Sequence, residues 1–574
     1  MINHFLFLSY LILFIISIIG YGIVFSKILK NNLIELNLGY QGFFGFFILS
    51  LLSIFTSFFF PHDFLHNIIL HIIGLTFFLF FIFSQKRFNE IKNLSILFFI
   101  LLLSIYVFKN HDDFPYYHLT YSLNLSENGY AVGMGNLGHG FRTFSSLFYM
   151  HSIFYMPFIK FYLFHAGPFI IILFFNFVVI TELLENFKNE KKIDFIYYFS
   201  LLALIFVNII FYRLGEHGTD RSSQILLLLI FIIFFKVFLY EEDFKTDKIN
   251  LYSLVIIISL AASIKVIYYL YFLLVPILLF KKKLFVEFLF KKNYLLTSLI
   301  SFFIFINLTT SYLNTGCLIY PAEKTCFENN EWSISKNEVR GLAVHYEWWS
   351  KAGGGPNYKA DLDPKIYIKN FNWLGNWVDR HFFNKVSDTL LGIFTISFFL
   401  FSILIFFSKK SDLNNDNSLK INKISLFTIY LIPTIFFLEW FLNHPSMRYG
   451  GFVLFAIPIF IFFSRIMDKL IISRNHVYKI TIFILILTMT IFNIRNILRI
   501  NKEINFYNYE ITKSPFFFVE KEVDTYPIDQ LNGTTVYSLK NGGYCWSSPT
   551  PCSYSKSVKI KEFLWMNMFY KELK

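Results

Sequence analysis

Long apolar runs, repeated along most of the chain and separated by short basic loops, constrain this sequence more than any other feature. A helix needs about 20 apolar residues to cross the hydrocarbon of a bilayer. Candidate runs lie at residues 5–26, 38–60, 64–84, 93–108, 167–184, 195–212, 222–240, 251–264, 266–279, 294–313, 386–408, 424–442, 449–464 and 480–494. Lipid offers no hydrogen bonds, so each run must satisfy its own backbone as a helix. Hydrophobic residues are 55% of the 574 and charged residues only 16%, against about 25% in soluble domains. The expected fold is therefore an all-α polytopic membrane protein of about 14 transmembrane helices, with a small extracytoplasmic α/β domain after residue 495. The run 249–280 is too long for one upright helix. Lys265 at its middle is expected at a tight hairpin.

The net charge of +13 does not point to nucleic acid, because the basic residues form no single patch. They follow the odd-numbered runs, as Lys27 and Lys30, Lys86 and Arg87, Lys188, Lys281 to Lys283, Lys409 and Lys410, and Arg465 with Lys469. The positive-inside rule then places these loops in the cytoplasm. Segments 109–166, 213–221, 314–385, 443–448 and 495–574 fall on the opposite face. That alternation requires the apolar stretch 144–164 not to span, and an interfacial helix is expected there. The apolar N-terminus lacks a basic leader and a small-residue cleavage site, so it reads as a retained helix. The 79 Phe residues carry little information about ligands, since a drifting genome composition gives the same excess.

Four cysteines agree with this sidedness. Cys317 and Cys326 share one external loop, and Cys545 and Cys552 share the external tail. Pairs so close on an oxidising face are disulfide candidates. Seven of the eight tryptophans also lie in the external segments, and Trp440 lies at the outer end of its run. In the tail, residues 534–539 read as a strand and Asn541-Gly542-Gly543 as a turn.

The chemistry-bearing residues gather on the same face. Lys109-Asn110-His111-Asp112-Asp113 leaves the fourth run with two adjacent carboxylates. Such a pair can act as a general base or hold a divalent cation such as Mg or Mn; it is also what a solvated loop start contains. Gly133-Met134-Gly135-Asn136-Leu137-Gly138-His139-Gly140-Phe141-Arg142 follows. Its glycines permit close backbone approach to a ligand, and Arg142 can grip a phosphate in two-pronged fashion. A flexible polar loop has the same composition. Residues 213–221 and 443–451 are compact and polar, and Arg448 begins a helix beside two glycines. Lys265 and Glu439 are ionisable groups in or near apolar runs. His345-Tyr346-Glu347-Trp348-Trp349 suits a sugar, or equally an interfacial anchor. Phosphate-loop, serine-hydrolase and zinc-protease motifs are absent from the sequence.

With these residues in place, the chain resembles the GT-C superfamily of membrane glycosyltransferases, which use polyprenyl-phosphate-linked sugars. Asp112-Asp113 at the start of the first large external loop carries the resemblance, with stretch 144–164 and the external tail. The resemblance implies a domain plan of additional helices at 1–92, a core at 93–494 with external loops 109–166 and 314–385, and an end domain at 495–574. It departs in having four helices, not one, before the acidic loop. It further implies catalysis by Asp112 and Asp113, with a divalent metal held there if one is used. Substrate contacts would come from His139, Arg142, Lys265, His345, Glu347 and Arg448. The implied partners are the bilayer, a polyprenyl-phosphate-linked donor, and a glycan, lipid or protein acceptor, in a plasma or inner membrane. An O-antigen-type polymerase or ligase, using His345 and Arg340, is a second reading. A lipid-linked-glycan transporter or flippase is a third, although no inverted repeat is visible.

Overall fold

The computed structural model describes residues 2–29, 33–85, 87–107, 113–190, 193–240, 244–282, 294–353, 363–408, 421–513, 515 and 523–572. The protein is mostly helical. Eleven helices among the described residues are long and apolar enough to cross a membrane. Three more apolar segments fall at expected positions but are shorter: Phe195–Ile210, Val266–Lys281 and Gly451–Met467. At 1.5 Å per residue the first spans only about 24 Å, less than the roughly 30 Å of hydrocarbon. The expectation of fourteen spans is thus met by eleven of full length.

The first three helices, Ile2–Ile28, Leu38–Ser57 and Phe64–Gln85, do not stand apart as an addition. Leu38–Ser57 lies inside the bundle. Phe43 packs edge-on to Phe174, and Phe47 meets Phe303 with ring centroids 4.7 Å apart. Where this helix crosses the first, a Cβ on Gly45 would collide with the Ile18 carbonyl. Small residues at such crossings let backbones approach, which drives helix association in lipid.

The loops sort to two ends. At one end, Arg87 donates to the Leu36 carbonyl at 3.1 Å, Arg474 to the Phe187 carbonyl at 3.4 Å, and Lys282 pairs with Asp247 at 2.9 Å. This end holds the basic loops. At the other, Gly133 N–H donates to Leu313 at 2.7 Å, Tyr554 N–H to Leu137 at 2.7 Å, and the Trp377 indole to Pro445 at 2.7 Å. The segments read as external therefore assemble together. The Lys282–Asp247 pair also shows that the chain turns back between Phe244–Ile264 and Val266–Lys281, with Lys265 at the far turn.

Stretch 144–164 differs from expectation. Only Ser146–Ser152 is helical, and turns fill the remainder to His165. The segment does not lie flat on the surface; it is a buried plug. Its carbonyls are satisfied by polar side chains of a spanning helix: Asn67 donates to Ser152 and Tyr155 at 2.9 and 3.0 Å, and His71 to Ile153 at 3.0 Å. Non-helical backbone at this depth survives only where protein supplies such partners.

The tail also differs. The last helix runs Arg474–Tyr507, past residue 495, and no helix follows it among the described residues. Beyond Tyr507 the described residues of the terminal region form a small sheet region. Strands β1 (Thr525–Leu531) and β2 (Thr534–Leu539) form an antiparallel hairpin, with β3 (Cys552–Ser553) parallel to β2. Strands β4 (Val558–Phe563) and β5 (Met566–Lys571) form a second hairpin. A bridge from Val132 to Met568 joins this domain to the first long loop. Disulfides link Cys317 to Cys326 and Cys545 to Cys552.

Candidate functional site

Asp113 opens a helical stretch that runs through Phe114–His118 into Leu119–Glu127. The terminal domain holds this entry in place. Tyr554 O–H donates to the Tyr116 carbonyl at 2.6 Å, and Trp546 N–H to the Pro115 carbonyl at 3.1 Å. Asp112 lies outside the described residues.

Asp113 Oδ2 receives the Arg448 guanidinium at 2.5 Å. Arg448 Nε donates to Asp220 Oδ2 at 2.7 Å, and Asp220 Oδ1 in turn takes the Lys265 ammonium. Four charged residues from four separate parts of the chain thus form one alternating network. Its Asp113–Arg448 end is about a quarter exposed, and the Asp220 side chain only 9% exposed. Trp349 lies 5.3 Å beneath the guanidinium, and the Tyr449 ring meets both Lys265 and Arg448. Burial opposes the Arg448 charge, but Asp113, Tyr449 and Tyr117 more than offset it and raise its affinity for the proton. Burial, then Asp113, pushes the Tyr117 hydroxyl above its ordinary value, so it remains a donor.

Local structure explains why Arg448 reaches this place. It sits in a single turn, Met447–Tyr449, ended by Gly450 at φ +113°. The Gln224 amide donates to the Met447 and Arg448 carbonyls, each at 3.3 Å, and the Trp440 indole donates to Ser446 at 3.0 Å. Asp220 lies four residues before Gln224, two residues after the Gly218 kink in its helix.

His139 and Arg142 belong to a second region. They line a pocket of about 480 Å³ with Glu338, Tyr554, Ser555 and Lys571. Arg142 Nε donates to the Gly135 carbonyl at 3.1 Å, and its terminal nitrogen pairs with Glu338 at 2.6 Å. Burial opposes the Arg142 charge, while Tyr320 and Glu338 support it and raise it overall. Burial first, then Arg142 and His345, lowers His139 below the usual imidazole value. Its Nδ1 is 3.0 Å from the Tyr116 hydroxyl. The helix Lys336–Lys351 connects the regions, with Glu338 in the pocket and Trp349 under Arg448. Eleven residues of helix put them about 16 Å apart.

The expected residues therefore divide. Asp113, Lys265 and Arg448 come together; His139 and Arg142 come together elsewhere. His345 is exposed, and Glu347 pairs with Lys351 at 2.5 Å, one turn along its own helix. In the glycine-rich loop, Gly138 lines the pocket, and protein rings pack closely on two of the glycines. A Cβ on Gly140 would strike the Tyr117 ring, and one on Gly138 would lie 2.6 Å from Tyr554. Those glycines admit protein rings. Glu439 hydrogen-bonds Asn443 at 3.2 Å, away from both regions.

Sequence reasoning missed Asp220, although an acid beginning an apolar run is a costly placement that signals a role. Glu338, Tyr554 and Lys571 left no comparable signal. As for a metal, the described residues include no cluster of three or more His, Cys, Asp or Glu. The two carboxylates present, Asp113 and Asp220, are already met by Arg448 and Lys265. Asp112, the other half of the expected metal pair, lies outside the described residues.

A groove of about 1530 Å³ lies between the helices Phe88–Leu101, Ala166–Lys188 and Arg474–Tyr507, with Lys188 and Arg474 at its polar end. It contains neither region.

Residues 4–455 match the model of a family described as a domain of unknown function, DUF8201, and the chain belongs to that family. No curated protein and no solved structure matches the chain. The match takes in the first three helices and all four members of the charge network. Tyr554 and Lys571 lie beyond it.

Proposed function

We propose that this protein is a membrane glycosyltransferase, moving a sugar from a polyprenyl-phosphate-linked donor to a lipid, glycan or protein acceptor on the extracytoplasmic face. The observation that carries this reading is the Asp113–Arg448 pair. A carboxylate able to take a proton and a guanidinium able to take a phosphate meet at a partly open position where the helices end. The basic loops at the opposite end support the extracytoplasmic assignment.

The proposed reaction exchanges the partners of Arg448. The donor phosphate draws the guanidinium face away from Asp113, while Nε stays on Asp220. Asp113, released by Arg448, accepts the proton of the acceptor hydroxyl. That oxygen bonds to the anomeric carbon as the bond from carbon to phosphate oxygen breaks. The electron pair leaves with the lipid phosphate, whose charge Arg448 and Lys265 stabilise where it develops. Asp220 keeps both cations in place throughout. A positioned general base is worth roughly 10²- to 10⁴-fold in rate.

The test is transfer of radiolabelled sugar by purified protein in nanodiscs, supplied with polyprenyl-phosphate sugars and membrane glycolipid extract. Asp113→Asn is expected to lose transfer by that factor while inserting and purifying normally. Wild-type rates in Asp113→Asn would overturn the reading.

A further inference from the structure

The pocket around Arg142 is a built site apart from the Asp113–Arg448 network. Three parts of the chain distant in sequence converge on it: the first long loop, the helix Lys336–Lys351 and strand β5 of the terminal domain. Its volume of about 480 Å³ is within the range of small-molecule sites.

The charges lining it do not balance. Arg142 and Lys571 face one carboxylate, Glu338, so the lining carries a net +1 with His139 neutral. The Arg142 side chain is only 6% exposed, whereas that of Glu338 is 49% exposed. The cation is fixed in the wall and the carboxylate sits at the mouth. No described carboxylate forms an ion pair with Lys571; burial lowers its ammonium below the ordinary lysine value, Glu338 opposes that shift and Arg142 adds to it. A partly buried excess of positive charge is costly unless an anion is supplied.

The remaining lining is suited to a hydroxylated ring. Ser555 lines the wall beside the Tyr554 ring, and so does Asn136, whose amide nitrogen donates to the Trp332 and Phe569 carbonyls at 3.0 and 3.1 Å. His139 carries a parallel Tyr346 ring, with centroids 6.5 Å apart. Aromatic faces with polar groups beside them match the alternating apolar and polar surfaces of a sugar.

We infer that this pocket binds an anionic saccharide, its carboxylate or phosphate held between Arg142 and Lys571 and its ring against Tyr554. Anion binding stands on the pocket alone. The assignment of that saccharide as the transfer acceptor rests on the reading above.

The experiment uses the full chain in neutral-lipid nanodiscs. Trigalacturonate, mannose 6-phosphate and neutral cellotriose are titrated by calorimetry. At least one anionic probe is expected to bind, more weakly as salt rises, and cellotriose is not. Lys571→Gln is expected to weaken binding at least tenfold, and Glu338→Gln to strengthen it several-fold. Asp113→Asn is expected to leave it unchanged. The tighter of the two anionic probes identifies the group recognised. The inference fails if neither anionic probe binds at millimolar concentration, if cellotriose binds equally well, or if Lys571→Gln has wild-type affinity. Saccharide binding in a chain whose transfer survives Asp113→Asn would remove the transferase reading and leave the pocket. Loss of transfer in Asp113→Asn, with unaltered binding and acceptor KM in Lys571→Gln, would remove the pocket alone.

Discussion

The two charged regions at this end of the molecule are built on opposite plans. The network of Asp113, Arg448, Asp220 and Lys265 is balanced, two carboxylates against two cations, and closes toward Asp220. The pocket of Arg142, Lys571 and Glu338 is open and has one cation in excess. A balanced network takes in a new charge only by giving up an existing partner. An unbalanced pocket accepts one directly. The first arrangement suits a step in which charge moves, the second one in which charge is recognised.

The sharpest way to break this contrast is at Asp113. Its change to Asn is expected to lower transfer by roughly 10²- to 10⁴-fold without altering saccharide binding in the pocket. Equal losses in both assays would mean that the regions form a single site.

Next is Asp220. Asp220→Asn leaves Arg448 with Asp113 alone and takes the ion-pair partner from Lys265, which costs about 3–5 kcal/mol. A marked fall in the thermal midpoint of detergent-solubilised protein is the expected readout. Asp220→Asn with Lys265→Met should recover part of the loss, because the orphaned cation is gone. A midpoint unchanged by Asp220→Asn would show that the network carries no strain of this kind.

Reduction of the Cys545–Cys552 disulfide tests what the two regions share. The Cys545 N–H donates to the Tyr554 hydroxyl at 3.0 Å, so the loop supports the pocket wall. Opening a loop of this size costs the terminal domain about 2 kcal/mol. Saccharide affinity should fall on treatment with dithiothreitol. Trp546 of the same loop also holds the Pro115 carbonyl beside Asp113, so transfer should fall as well, while Gln224 and Trp440 keep Arg448 in place.

The smallest effects belong to the pocket rim. Glu338→Gln should change stability by no more than about 1 kcal/mol, since half of that side chain is in water. His139 adds a pH dependence of known sign. Its folded value is lowered by burial, Arg142 and His345, so on acidification the unfolded chain takes up a proton before the folded one does. Stability should therefore fall as the pH drops from the ordinary imidazole value toward the lower folded one. His139→Gln should flatten that slope in a thermal series across mildly acidic pH.

The helices were legible because a membrane run declares itself residue by residue. So did the basic loops, the cysteine pairs and strand β2. The stretch 144–164 was misread because its apolar composition suits a surface helix and a buried plug alike. What decides between them is Asn67 and His71 on another helix. The glycine-rich loop was legible only in part. Glycine indicates close approach, but not whether the neighbour is a ligand or, as here, Tyr117 and Tyr554. Asp220 was hidden by a boundary, since a helix that starts at Leu214 carries it within the bundle, not in a loop.

By itself the sequence determined that this is a many-helix membrane protein whose polar segments share one end. Apolar length and loop charge are local quantities, and lipid acts on them directly. Only the tertiary structure decided which charges meet. Asp113, Asp220, Lys265 and Arg448 are joined across more than 300 residues because helix packing brings their four helix ends together, and no spacing within a single segment encodes that meeting.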